Sequence, residues 1–167
     1  MKSAMFFLPL IFALITSCSK DGASDISTKP AESSIDKTVL LQLVNDARKK
    51  GCNCGTTYYA PVAVLTWNDK LEKAAYAHSN DMYGHKFLSH TGTNGSGSGE
   101  RITNAGYNWR FYGENIAQGY KNEKEVVAGW LSSPGHCANI MNKNFKEMGV
   151  AKVVDYWTQD FGSPLSQ

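Results

Sequence analysis

The side chains in this sequence best suited to chemistry are Cys18, Cys52, Cys54 and Cys137, together with His78, His85, His90 and His136. Beyond position 18 an odd number of cysteines remains, and an oxidising compartment then favours one disulfide and one spare thiol. A bridge from Cys52 or Cys54 to Cys137 would close a long loop, worth about 4 kcal/mol on the chain-entropy view. A bridge between Cys52 and Cys54 would need an unusually tight turn. The rival chemistry is a structural zinc held by Cys52, Cys54, Cys137 and the adjacent His136. The C-x-C and H-C spacings depart from the usual C-x₂₋₄-C and H-x₃₋₅-H pairs, so a disulfide is the expected outcome. A cysteine nucleophile at Cys137 is disfavoured, because sequence neighbours need not face each other and that sulfur is expected in a bridge. Neither an H-E-x-x-H helix nor a G-x-S-x-G elbow occurs. The glycine-rich run at 92–99 lacks the G-K-[ST] of a phosphate cradle.

The amino terminus bears on that cysteine count. Lys2 precedes an apolar run from Ala4 to Ile15, and Thr16-Ser17-Cys18 supplies a small-residue exit. This is the order of a secretory signal. The run is shorter than the roughly 20 residues needed to span a bilayer, and it carries Pro9. Ile15-Thr16-Ser17-Cys18 resembles the lipobox of bacterial lipoproteins, which implies cleavage after residue 17 and a lipidated Cys18. Two or more acyl chains would give a stable membrane anchor. Ser19 rather than Asp follows Cys18, so the inner-membrane retention signal of some lipoproteins is absent and an outer-membrane destination is preferred. Residues 18–33 then read as a lipidated cysteine on a disordered tether, since Ser, Lys, Asp, Gly, Ala, Thr and Pro leave little to bury.

Residues 34–164 have the length of one domain, enough to bury about two-thirds of the unfolded surface. The formal charge of the whole chain is +2, and loss of Lys2 with the signal lowers it by one. Near-neutrality excludes nucleic acid, which demands clustered Lys and Arg. The aromatic run Tyr107-Asn108-Trp109-Arg110-Phe111-Tyr112 holds a single cation and is no base-stacking platform.

The elements that must position these groups are legible in the periodicity. Ile35, Val39, Leu40, Leu43, Val44 and Ala47 predict a helix capped by Ser33 or Ser34 and ended by Lys49-Lys50-Gly51. Asn68 starts a second helix with an apolar stripe of Leu71, Ala74, Ala75, His78 and Met82. His78 is thus expected in the core with Asp81 as its partner, and His85 in solvent. Asn122 and Glu125 form a capping box for a third helix over 123–132, with Val126, Val127, Trp130 and Leu131 inward. Pro134-Gly135 breaks the chain before a short turn at 136–141. Residues 145–154 and 156–161 read as antiparallel strands joined by a tight turn, and 92–99 as a flexible loop. Helices in front and strands behind predict an α+β sandwich.

Four segments then occur in order: Phe87-Leu88-Ser89-His90-Thr91, Gly113-Glu114-Asn115-Ile116-Ala117, Trp130-Leu131-Ser132-Ser133-Pro134-Gly135-His136, and Tyr156-Trp157-Thr158-Gln159-Asp160-Phe161-Gly162. Together they resemble the bacterial branch of the CAP superfamily (cysteine-rich secretory proteins, antigen 5, pathogenesis-related 1; the SCP domain) over residues 38–162. The resemblance implies a three-layer α-β-α sandwich with a small antiparallel sheet and a cleft. In that cleft His90, Glu114 and His136 match three members of the family's His-Glu-Glu-His tetrad. Ser133 stands where the second Glu is expected, which removes the second carboxylate from any mechanism that needs two. Two imidazoles and one carboxylate suit zinc or another divalent metal, with one position left for water. The alternative is that both imidazoles hydrogen-bond Glu114 and pin their loops. Asn115, Tyr112 and Ser133 are expected to line the cleft, with Asn115 also serving the local backbone. Of Tyr107, Trp109, Phe111 and Tyr112, at least two are expected in the core; Trp130 and Trp157 are expected to be structural. The function expected first is a monomeric binding module for an envelope lipid, glycan or peptide, or for a metal ion. A structural or host-interaction scaffold comes second, and a metal-dependent hydrolase of peptide or cell-wall material third.

Overall fold

A computed structural model describes Met1 and residues 34–165. The expected signal, Cys18 and the tether lie outside the described residues, Met1 apart. Among the described residues no helix is long and apolar enough to cross a membrane.

Helix α1 (Lys37–Lys50) buries Leu40, Val44 and Arg48, spaced four apart on one face. Its N-cap is Asp36, whose side chain accepts from Val39 N at 3.0 Å, rather than Ser33 or Ser34. Gly51 ends it at φ 72, a left-handed value that a Cβ would oppose. Strands β1 (Cys52–Cys54) and β2 (Thr57–Tyr59) follow as a hairpin that pairs Cys52 with Tyr59 and Cys54 with Thr57. After β3 (Thr66–Trp67), helix α2 (Asp69–His85) starts at Asn68, which accepts from Lys70 N and Leu71 N. Its expected stripe is buried, with Ser79 added.

The run at 92–99 is not a free loop. Asp81 accepts from Thr93 N and Thr93 Oγ1, and Gly92 N donates to Ser96 O. Helix α3 (Ser98–Asn104) begins before the run ends. The aromatic segment becomes the ten-residue strand β4 (Trp109–Gln118). Helix α4 (Glu123–Ser132) has the expected Asn122 cap, although Glu125 reaches Lys121 N, one residue before the N-cap. The expected turn at 136–141 is helix α5 (Pro134–Ile140); Pro134 lies at its start, where no backbone N–H is needed.

Strands β5 (Glu147–Val153) and β6 (Tyr156–Pro164) pair antiparallel, as expected. The four-stranded sheet runs β3-β5-β6-β4, mixed rather than wholly antiparallel because β3 joins β5 in parallel. Alternation along β6 sends Trp157 and Phe161 into the core beneath α1, α4 and α5. It sends Tyr156, Thr158 and Asp160 towards α2, where Tyr156 joins Met82 and Ile116 and Ser79 Oγ donates to Thr158 at 2.8 Å. The result is the three-layer α-β-α arrangement.

Two features hold the layers at their spacing. Gly149 lets α2 touch the sheet: a Cβ there would lie 2.1 Å from Glu72 N, a backbone atom. Gly149→Ala should therefore destabilise the domain by about 1–3 kcal/mol in urea unfolding; an unchanged midpoint would contradict this packing. On the opposite face the guanidinium of Arg48 is wholly buried. It donates to Ala63 O at 2.7 Å, Ile140 O at 2.6 Å, Asn142 O at 3.0 Å and Phe145 O at 3.4 Å. Burial pulls its pKa down to about 10, still cationic at neutral pH. Arg48 thereby fastens the C-terminal end of α5 to α1.

Candidate functional site

Because β4 is an edge strand, side chains from both helical layers meet along its free side. Glu114 shares a face with Ile116, which packs on α2, so its carboxylate points into the α2–α3 layer, with its side chain 2% exposed. Its Oε1 lies 2.8 Å from His90 Nδ1, and its Oε2 accepts from Arg101 Nη2 at 2.6 Å. The same guanidinium donates to His90 O at 3.0 Å and Ser96 O at 2.7 Å. Arg101 therefore holds the loop carrying His90 as well as the carboxylate that orients its ring. With Nδ1 engaged by Glu114, Nε2 is the ring nitrogen left for a ligand. The His90 side chain is 55% exposed.

His136 arrives from the other layer on α5. Asn115, fully buried, donates through Nδ2 to His136 O at 3.2 Å and to Gln159 Oε1 at 3.1 Å. Asn139 donates through Nδ2 to Glu114 O at 3.1 Å and to Asn115 Oδ1 at 2.9 Å. An amide network thus pins α5 to the edge strand. Burial, and secondarily the neighbouring His90, hold His136 below the ordinary imidazole range. It is neutral at physiological pH and keeps a lone pair.

The carboxylate is not a free ligand. Both Glu114 oxygens are engaged, one by a cation already in place. Among the described residues, the only group of three potential ligand atoms within 4.8 Å of one another is Cys52, Cys54 and Cys137. His90, Glu114 and His136, the set expected to hold a metal, form no such group, and Glu114 is engaged by Arg101 and His90 instead.

A second carboxyl lies beside Glu114, but beneath it. Asp160 is its direct cross-strand partner on β6 and is fully buried. Neither Asp160 oxygen accepts a hydrogen bond from the described residues. Burial first, then the Glu114 charge, raises its pKa well above the ordinary carboxylate range and so favours the protonated acid. Arg101 and Asp160 were missed in the sequence. Asp160 had a signal, a charged residue on the inward period of an apolar strand; Arg101 had none, since it lies past the loop expected at 92–99 in a helix too short to show a repeat.

Other expectations change place. Asn115 lies under the cleft rather than on its wall. Ser133 is the junction of α4 and α5, and its side chain makes no capping bond. Tyr112 is 42% exposed, with its ring over Gly99 and edge-on to Trp109 at 4.3 Å. Tyr107 is core and Trp109 half-buried, whereas Phe111 is exposed. Trp130 and Trp157 are buried. His78 is buried, but its Nε2 meets Ser89 O at 2.8 Å instead of Asp81. Asp81 instead pairs with the exposed His85 at 3.0 Å. Cys54 is bonded to Cys137 and Cys52 is free, so two sulfurs of the alternative zinc set are spent; His136 contributes no nitrogen to that group.

Comparison with known proteins follows this geometry. The sequence model of the cysteine-rich secretory protein family, CAP, matches residues 41–161. The Bacillus subtilis (strain 168) protein YkwD is 31% identical over 137 residues, which cover 81% of this chain and 50% of that protein. The membrane protein YlbC of the same organism is 31% identical over 100 residues, 60% of this chain and 29% of its own length. The chain thus spans half or less of these relatives. A Bacillus anthracis extracellular protein containing an SCP domain superposes with TM-score 0.67 at 26% identity, over 75% of this chain and 39% of that one. An outer surface protein of Borrelia burgdorferi shares the fold, with TM-score 0.66 at 23% identity, over 80% of this chain and 99% of that one. With the family match extending from α1 to β6 and over every segment of the cleft, this chain belongs to the cysteine-rich secretory protein (CAP) family.

Proposed function

We propose that this chain is a lipid-anchored, extracytoplasmic binding module of the bacterial envelope, whose ligand is met by His90 and His136. The carrying observation is the engagement of both Glu114 oxygens, which makes that residue a positioning group for His90. Structural neighbours described as extracellular or outer-surface proteins support the location. The sequence motif at Cys18 supports the anchor, with the outer membrane preferred. A divalent ion, zinc by donor type, would be held by His90 Nε2 and His136, and would supply Lewis acidity and coordination positions for an envelope lipid, glycan or peptide. The hydrolase reading is weaker, because Asp160 is buried under the cleft and Ser133 replaces the second Glu.

Calorimetric titration of Zn²⁺ into the disulfide-intact chain tests the site. His90→Ala and His136→Ala should abolish the binding heat, and Glu114→Gln should weaken affinity about 10–100-fold by freeing the His90 ring. Unchanged heats in both histidine variants would sink the metal site. Zinc-dependent peptidase activity that vanishes in Glu114→Ala would replace binding with hydrolysis.

A further inference from the structure

The sulfur cluster stands outside the cleft chemistry. Strand periodicity projects Cys52 and Cys54, two residues apart on β1, to the same face, and α5 lays Cys137 against it. Cys54 and Cys137 are bonded to each other, and both are buried. The Cys52 thiol is half-buried and lies 3.6 Å from Cys137 Sγ, in contact with the existing disulfide. Of the three sulfur-bearing residues it is the most open to solvent.

We propose that Cys52, Cys54 and Cys137 form a thiol–disulfide exchange centre, in which Cys137 is shared between two alternative partners and Cys52 is the point of entry for external thiols and disulfides. In the internal step the Cys52 thiolate attacks Cys137 Sγ. The Cys52–Cys137 bond forms, the Cys54–Cys137 bond breaks, and Cys54 leaves as a thiolate that takes up the proton lost from Cys52. No net oxidation occurs. Both isomers keep α5 fastened to the hairpin, and the second brings the bridge to the half-exposed sulfur. An external thiol, from a low-molecular-weight thiol or a dithiol oxidoreductase, then reaches the bridge through the Cys52 isomer. Burial pushes the Cys52 thiol up, which slows attack because only the thiolate is nucleophilic.

Two measurements on the full chain carrying Cys18→Ser test the centre. Adding Cys54→Ser and equilibrating in a glutathione redox buffer should give a Cys52–Cys137 linked peptide in the non-reduced digest, and no free thiol. Two free thiols in a chain with native circular dichroism would overturn the proposal. The second measurement needs no change to a buried cysteine. Under native conditions, reduced glutathione should open the Cys54–Cys137 bridge several-fold more slowly in Cys52→Ser than in the otherwise unchanged chain, since access runs through Cys52. Equal rates would overturn it.

Discussion

Arg48→Met is expected to destabilise the domain by about 3–5 kcal/mol, because it strips buried carbonyls of their donor while keeping most of the side-chain volume. The carbonyls affected belong to Ala63, Ile140, Asn142 and Phe145, which otherwise converge on one guanidinium. Lysine offers a point charge in place of a planar fork and cannot span all of them. Arg48→Lys should therefore recover less than half of the loss. Urea unfolding followed by tryptophan fluorescence reads this directly. A cost below about 1 kcal/mol for Arg48→Met would mean that water replaces the guanidinium and that Arg48 does not secure α5.

Asp160→Asn should make the protein more stable than wild type at neutral and alkaline pH, with a gain that grows as pH rises. The buried acid keeps its proton in the folded state, because burial and the Glu114 charge raise its pKa. Below about pH 4 the carboxyl is protonated in both folded and unfolded chains, and its contribution to stability is fully present. As pH rises the unfolded carboxyl ionises while the folded one does not. Stability is lost progressively until the folded group titrates as well. Asparagine is neutral throughout and removes that loss. His78 and His136 act with the opposite sign, since burial depresses both: their contribution is present above about pH 6.5 and fades as pH falls. That contribution is common to both proteins and cancels in their difference. Chemical denaturation of each at pH 5 and pH 8 suffices. A difference that stays flat or shrinks with pH would mean that Asp160 is ionised in the folded protein.

Legibility along the chain followed the length of each pattern. Helices α1, α2 and α4 each carry two or more turns of apolar repeat and a capping residue, so they were found with their faces. Strands β5 and β6 have seven and nine residues separated by a turn, and β6 is rich in aromatics. Helices α3 and α5 span about two turns each, too few for a repeat, so the sequence shows only a loop running into the first and a turn in place of the second. The hairpin strands β1 and β2 have three residues each, too few to show alternation. Strand β4 is hard to see because its aromatics at 109, 111 and 112 do not alternate strictly, and the register shifts between Trp109 and Phe111.

The sequence alone determined the family and the layered α+β class, because these rest on residue types in a set order, and it singled out His90, Glu114 and His136 as the candidates to look for. It also narrowed the cysteines to one bridge involving Cys137. Only the tertiary structure decided that Cys54 carries that bridge, since Cys52 and Cys54 share a strand face and packing of α5 selects between them. The partners of Glu114 were decided in the same way. Arg101 and the ring of His90, which engage its carboxylate, and its buried neighbour Asp160 are 13 to 46 positions away, brought together by α3 packing and by the β4–β6 register. A carboxylate's chemistry depends on what lies within hydrogen-bond reach, and that reach is set by the folded sheet, not by spacing along the chain.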